Sequence, residues 1–159
     1  MNKVYLQLGS NIGNSKKQLL KAQKYLGKRI GFLTHKSSLY QTAAWGDMDQ
    51  PDFINQIVVI DTLLDAQSCI EKILGIEHDM GRIRTKKNAP RVIDIDILFF
   101  NREIINLENL VVPHPALQDR RFVLIPLNEI SPNFIHPLLN QTVHQLLVDC
   151  QDPLDVKKI

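Results

Sequence analysis

Val92-Ile93-Asp94-Ile95-Asp96-Ile97-Leu98-Phe99-Phe100 is the stretch whose reading decides the fold. Its β-branched and aromatic content predicts a strand, and a strand sends alternate side chains to opposite faces. Ile93, Ile95, Ile97 and Phe99 then share one face. Asp94 and Asp96 share the other, with Cα atoms about 7 Å apart, before Leu98 and Phe100 return that face to apolar character. Two carboxylates side by side in mid-strand repel each other, so solvent, cations or basic side chains must neutralise them. Oxygen donors of this kind suit one or two Mg²⁺ ions. The plainer alternative is an edge strand with a polar face.

Just upstream, Arg82, Arg84, Lys86, Lys87 and Arg91 place five cations in ten residues with no acid among them. A phosphate chain that bridges metal on the aspartates and accepts guanidinium hydrogen bonds would satisfy both charge clusters. Glu77 precedes them on a predicted helix, sharing the apolar stripe of Ala66, Ile70, Ile73 and Leu74. A carboxylate there either needs an arginine partner from the basic loop, as a positioning residue, or lies at the exposed end of the stripe. His114, between Pro113 and Pro115, fits a phosphate contact or a rigid turn equally well. The seven glycines form neither a GxGxxG fingerprint nor a P-loop, so a nucleotide would be held by side chains and metal.

The remaining elements follow outward from this strand. Val4–Leu8 reads as a first strand, 9–14 as a turn, and Ser15 with Gln18 has capping-box spacing for a helix ending near 27–31. A second strand runs from Phe32 to about Thr42, 43–52 is a loop, and Phe53–Thr62 is a third strand. Asp65 caps a second helix reaching about Met80. The order βαββαβ predicts an α+β fold: a four-stranded antiparallel sheet with both helices on one face and the other face open for ligands. Beyond Asn101, six prolines predict a wrap of short pieces with one late helix near Thr142–Val148.

The chain has 159 residues, 44% apolar and 23% charged, which suits one folded domain over 1–159 and disfavours disorder or a disulfide scaffold. Cys69 and Cys150 lack metal-ligand spacing and read as reduced packing residues, in keeping with a cytoplasmic location. The apolar run at the N-terminus is too short for a signal peptide, and no apolar stretch is long enough to span a membrane. Residues 1–46 carry eight Lys or Arg and no acid. Lys17, Lys21, Lys24 and Lys28 form one helical stripe opposite Leu19, Ala22, Leu26 and Ile30, expected as a solvated face.

Lys87-Asn88-Ala89-Pro90-Arg91-Val92-Ile93-Asp94-Ile95-Asp96-Ile97-Leu98 closely resembles the signature of the 6-hydroxymethyl-7,8-dihydropterin pyrophosphokinases of folate biosynthesis. Gly9-Ser10-Asn11, Tyr40-Gln41-Thr42, Asp49–Asn55, Gly81–Arg84, Val112-Pro113-His114, Arg120 and Phe122 agree in order, over residues 4 to about 135. The resemblance implies a ferredoxin-like βαββαβ sandwich with a C-terminal extension. It also implies transfer of the terminal pyrophosphate of ATP to the pterin hydroxymethyl oxygen, releasing AMP. By position, Asp94 and Asp96 would bind two Mg²⁺ ions and act with Arg82 and Arg91 as the catalytic set. Glu77, Arg84, Ile97, His114 and Arg120 would serve ATP. Phe53 and Phe122 would sandwich the pterin, with Thr42, Ala43, Trp45 and Asn55 along its edge. Asn88, Asn109 and Pro115 depart from residues that are often tryptophan, basic and aromatic in the family. The implied partners are ATP and the pterin, with no nucleic acid or membrane, acting on a monomer.

The same βαββαβ order also builds RNA-binding modules, but two aspartates on the ligand face and the missing basic-aromatic signature oppose that reading. A metal-dependent phosphohydrolase, with water as the nucleophile, is the third possibility.

Overall fold

The computed structural model of the chain describes residues 1–44, 49–83 and 89–159. In chain order the elements are β1 (Asn2–Ser10), α1 (Ser15–Arg29), β2 (Gly31–Lys36), β3 (Tyr40–Thr42), β4 (Phe53–Thr62), α2 (Ala66–Asp79) and β5 (Asp94–Phe100). A hairpin of β6 (Ile105–Leu107) and β7 (Leu110–Val112) follows, then α3 (Arg121–Ile130), α4 (Val143–Asp149) and β8 (Val156–Lys158). The main sheet has six strands in the order β5-β1-β4-β3-β8, with β2 also paired to β4.

Local chemistry explains most boundaries. Asn14, not Ser15, caps α1: its side chain accepts the Lys17 N–H, so the expected Ser15–Gln18 capping box does not form. Asp65 caps α2 through the Ser68 N–H, and Thr142 with Gln145 forms a true capping box on α4. Lys17, Lys21, Lys24 and Lys28 are all exposed, while Leu19, Ala22 and Leu26 are buried.

Four further expectations are corrected. The second strand is two: β2 lies along residues 58–62 of β4 and β3 along 53–55, and Ser37 bridges the break by bonding Ile57 through both backbone and hydroxyl. Among the described residues the sheet therefore has six strands, not four. The proline-rich C-terminal part holds a ten-residue helix, α3, despite Pro126 within it. Proline withholds one helical N–H, yet Val123, Leu124 and Leu127 bury an apolar stripe that outweighs it.

The fourth correction concerns the open face. Val4, Leu6, Leu8, Val58, Ile60, Ile95 and Ile97 pack under α1 and α2. On the opposite face Tyr5, Ile57, Val59, Leu98 and Phe99 are covered by α3 and α4 through Val123, Leu124, Leu127, Val143 and Leu146. Phe99 belongs to this second core and Phe100 to the first, the reverse of strict alternation. The cause is a bulge: Tyr5 faces Phe99 while Leu6 faces Ile97, leaving Leu98 as the extra residue. Among the described residues, the end of that face bearing Gln7, Gly9, Phe53, Asn55, Asp94 and Asp96 stays open. Among the described residues no helix is long and apolar enough to cross a membrane. Cys69 and Cys150 are both free thiols, and burial pushes the Cys69 thiol up to about 11.

Candidate active site

Two clefts open at this end of the sheet. The first, about 570 Å³ including its mouth, is floored by Gln7, Gly9, Asn55, Asp94 and Asp96, and walled by Thr42, Ala43, Phe53 and Arg91 on one side and His114, Arg120 and Phe122 on the other. The second, about 460 Å³ including its mouth, runs between β5, the β6–β7 hairpin and Ile70 of α2, and is lined by Ile97, Asn109, Leu110, Val111 and Pro115. Asp96 and His114 line both clefts, so the two cavities meet at these side chains.

Strand register sets the floor. Gly9 of β1 lies between Asn55 of β4 and Asp94 of β5, and Gln7 lies between Ile57 and Asp96. A Cβ on Gly9 would come within 2.9 Å of Asn55 Oδ1, so glycine is required there by the close approach. The Asn55 amide is held in one orientation: Oδ1 accepts from Gln7 Nε2 at 3.1 Å, and Nδ2 donates to Thr42 Oγ1 at 2.9 Å. Both Asn55 and Thr42 are buried.

Behind the aspartates, Glu77 is buried, which decides between the two readings of its place on the apolar stripe of α2. Its Oε2 accepts from Arg82 Nη1 at 2.7 Å and from the Ile95 N–H at 2.8 Å. The same Nη1 donates to Asp94 Oδ1 at 2.8 Å, and Arg91 Nε lies 3.4 Å from Asp94 Oδ2. Glu77 and Arg82 thus brace β5 from behind and line neither cleft, since Arg82 is drawn inward by two carboxylates. Asp96 makes no ion pair among the described residues. Burial, then the charges of Asp94 and Glu77, push its carboxyl well above the ordinary range, against a smaller opposing pull from Arg120 and Arg82.

The walls carry the recognition groups. The Arg91 guanidinium lies 4.9 Å from the Phe53 ring centroid and that of Arg120 lies 5.7 Å from Phe122, so each arginine is stacked on an aromatic wall. The His114 backbone N–H is anchored to Leu98 O at 3.0 Å, and its Nδ1 accepts from the Ala116 N–H at 3.2 Å. The remaining proton of neutral His114 is therefore on Nε2. Burial, with the neighbouring Arg120 charge, pushes its pKa down to about 4, so the ring is a neutral donor near pH 7.

Thr42, Ala43, Phe53, Asn55, Arg91, Asp94, Asp96, His114, Arg120 and Phe122 are brought together in the first cleft, and Ile97 lines the second. Trp45 and Arg84 lie outside the described residues. The sequence reading missed Gln7, whose polar side chain at an inward position of β1 was the available signal, and the role of Asn11. Asn11 is buried and ties three segments together. Its Oδ1 accepts from the Arg91 N–H at 2.9 Å, and its Nδ2 donates to Gln50 Oε1 at 2.7 Å and to Pro51 O at 3.0 Å.

The family model for 7,8-dihydro-6-hydroxymethylpterin-pyrophosphokinase matches residues 5–132. A 2-amino-4-hydroxy-6-hydroxymethyldihydropteridine pyrophosphokinase of Methylorubrum extorquens is 39% identical over 160 residues, covering 100% of this chain and 99% of the relative. Its Bacillus subtilis namesake is 43% identical over 130 residues, covering 81% of this chain and 78% of the relative. The folic acid synthesis protein FOL1 of Dictyostelium discoideum is 41% identical over 145 residues, which are 91% of this chain but only 22% of that protein. A crystal structure of Plasmodium falciparum HPPK-DHPS superposes with a TM-score of 0.75 at 21% identity, covering 92% of this chain and 42% of the other. That likeness concerns the fold: a mixed α/β architecture with an antiparallel sheet. Since the family match takes in both walls of the first cleft and the Methylorubrum relative aligns end to end, the chain belongs to the 7,8-dihydro-6-hydroxymethylpterin-pyrophosphokinase family.

Proposed function

We propose that the chain transfers the terminal pyrophosphoryl group of ATP to the hydroxymethyl oxygen of 6-hydroxymethyl-7,8-dihydropterin, releasing AMP, in folate biosynthesis. The observation that supports this reading is the meeting of two clefts at Asp96 and His114, where an acceptor and a donor would lie on either side of the same polar pair. We read the fold as a ferredoxin-like unit with a C-terminal extension, forming one domain over 1–159 that acts as a monomer in the cytoplasm.

The first cleft suits the pterin. Phe53 and Phe122 offer apolar faces to a flat ring, while Asn55, Thr42 and the Ala43 backbone offer hydrogen bonds to its edge. The second cleft suits adenine and ribose, between Ile97 and the Asn109–Val111 backbone. Arg91, Arg120 and His114 Nε2–H would donate to phosphate oxygens from three directions. Arg82 and Glu77 would act from behind by fixing Asp94. The hydroxymethyl oxygen attacks the β-phosphorus in line: an O–P bond forms, the bond to the oxygen bridging the α- and β-phosphorus atoms breaks, and AMP leaves with that oxygen. The hydroxymethyl proton passes to solvent or a phosphate oxygen, so alignment rather than a strong protein base supplies the rate.

The donor set fits a hard dication. Asp96 is a carboxylate raised by burial beside Asp94, with only oxygen donors offered, and a cation there would relieve the repulsion. Asp94 and Asp96 would hold two Mg²⁺ ions, which when bound neutralise the triphosphate and polarise its β-phosphoryl group.

The test is AMP formation from ATP and Mg²⁺ with and without 6-hydroxymethyl-7,8-dihydropterin. Pterin-dependent AMP is expected, and Asp96→Ala should lower turnover by at least about a hundredfold while leaving the circular dichroism spectrum unchanged. ATP consumption that does not need the pterin would make the chain a hydrolase, and near-normal turnover by Asp96→Ala would remove the metal assignment.

A further inference from the structure

The helix that carries one wall of the first cleft lacks a cap of its own. Arg120 stands at the N-cap of α3 and makes no side-chain capping bond. Its guanidinium instead lies against Phe122 at the cleft wall. The position that would ordinarily be serine or aspartate is thus occupied by a site residue.

The cap comes from the C-terminal tail. Asp152 is buried at 7% exposure, and its Oδ2 accepts the backbone N–H of Arg121, the first residue of α3, at 3.0 Å. Its Oδ1 accepts the Leu154 N–H at 3.0 Å, which turns the tail toward the sheet. From there β8 pairs with β3 in the register Val156 to Thr42, Lys157 to Gln41 and Lys158 to Tyr40, and the Ile159 N–H bonds Leu39 O at 3.0 Å. Thr42 and Ala43, at the end of β3, form part of the facing wall. One eight-residue segment therefore fastens the start of α3 to the end of β3.

We propose that Asp152 is a positioning residue for the pterin cleft. It sets Arg120 and Phe122 at a fixed distance from Thr42 and Ala43, acting through the first turn of α3 and the β8–β3 pairing. A carboxylate satisfies an orphan N–H at the positive end of the helix dipole, and the strand ladder prevents the tail from following the helix if it shifts. The width of the slot is then held by a segment outside the βαββαβ core. This inference rests on the proposed pterin activity.

The experiment compares wild type, Asp152→Ala, Asp152→Asn and Asp65→Ala, each at a temperature where circular dichroism shows it folded. Asp65→Ala removes the α2 cap, away from the clefts, and reports what a lost cap does by itself. Asp152→Ala should raise the pterin KM about tenfold and lower kcat, with the ATP KM changed less than about threefold, since the second cleft is built without the tail. Asp152→Asn should give a pterin KM between those of wild type and Asp152→Ala, because its single amide oxygen can accept the Arg121 N–H but not the Leu154 N–H as well. Asp65→Ala should lower the melting temperature and leave both KM values in place. A pterin KM that stays at the wild-type value in Asp152→Ala, or rises in parallel with the ATP KM, would overturn the proposal.

Hydrogen exchange gives a readout independent of turnover. In Asp152→Ala, amides of Arg121–Leu124 and of Thr42–Ala43 should exchange faster together. Faster exchange at α3 alone would reduce Asp152 to a stability cap. If wild type makes no pterin-dependent AMP, the activity reading fails, and the joint exchange of the two walls still decides the role of the tail.

Discussion

Gln7 occupies a place where an apolar residue would pack without cost, facing Asp96 on one side and Ile57 on the other. Its Nε2 orients Asn55, while its Oε1 is buried without a hydrogen-bond partner among the described residues. A buried unmatched acceptor costs about 1–3 kcal/mol, so the side chain must return something elsewhere. Orientation of the Asn55 amide is that return: with Gln7 donating to Oδ1, a flip would set two N–H groups against each other. Gln7→Leu removes the orphan acceptor and the orienting donor together. Initial rates should show a pterin KM raised about five- to tenfold with the ATP KM unchanged, and urea unfolding should show stability within about 1 kcal/mol of wild type. At this scale the sequence narrowed Glu77 to an arginine partner or the exposed end of its stripe, and its burial against Arg82 decides for the first. It was silent on His114, whose Nδ1 contact to Ala116 alone fixes which nitrogen faces the clefts.

Elements with a strong local signal lie where the sequence places them. Phe53–Thr62 is β4, Asp65 caps α2, and α4 at Val143–Asp149 lies close to the expected Thr142–Val148. The failures have a common cause, since each depends on a distant part of the chain. Helix α3 is stabilised over Pro126 by the core it covers. The split of β2 from β3 is fixed by Ser37 bonding to Ile57. The bulge at Leu98 is fixed by the β1 register. α3 is also tied to β3 at its far end, where Glu129 accepts from the Tyr40 hydroxyl at 2.6 Å and from the Ser38 N–H at 3.1 Å. Burial opposes the Glu129 charge, but these hydrogen bonds overcome it and hold the carboxyl below its ordinary 4.5. The unfolded chain then binds the proton more readily than the native one, so this contribution is full above pH 4.5 and is lost as pH falls through the lowered native value. Urea midpoints measured between pH 7 and pH 3 should fall for wild type, and less steeply for Glu129→Gln.

At the scale of the molecule, one sheet separates two cores. The first lies under α1 and α2, the second under α3 and α4, and the open end of the second face holds the clefts. Phe99 is fully buried in the second core, edge-on to Tyr5 at 5.8 Å and tilted against Phe134 at 4.5 Å. Phe99→Ala should cost about 3–5 kcal/mol, read as a drop in the urea midpoint, because the rings around the cavity cannot collapse into it. Loss of turnover should follow loss of fold in that variant, with the pterin and ATP KM values of the folded fraction retained. The sequence alone determined the strand and helix periods, one of the two caps read from it, the paired aspartates and the family they resemble. These are properties of contiguous residues, whose side chains meet water or backbone within a few positions. Tertiary structure decided what covers the second face, where the bulge reverses Phe99, how Asn11 ties three segments, and which residue caps α3. Each of these depends on partners tens of residues away, whose pairing is chosen by the whole set of buried contacts rather than by any one stretch of chain.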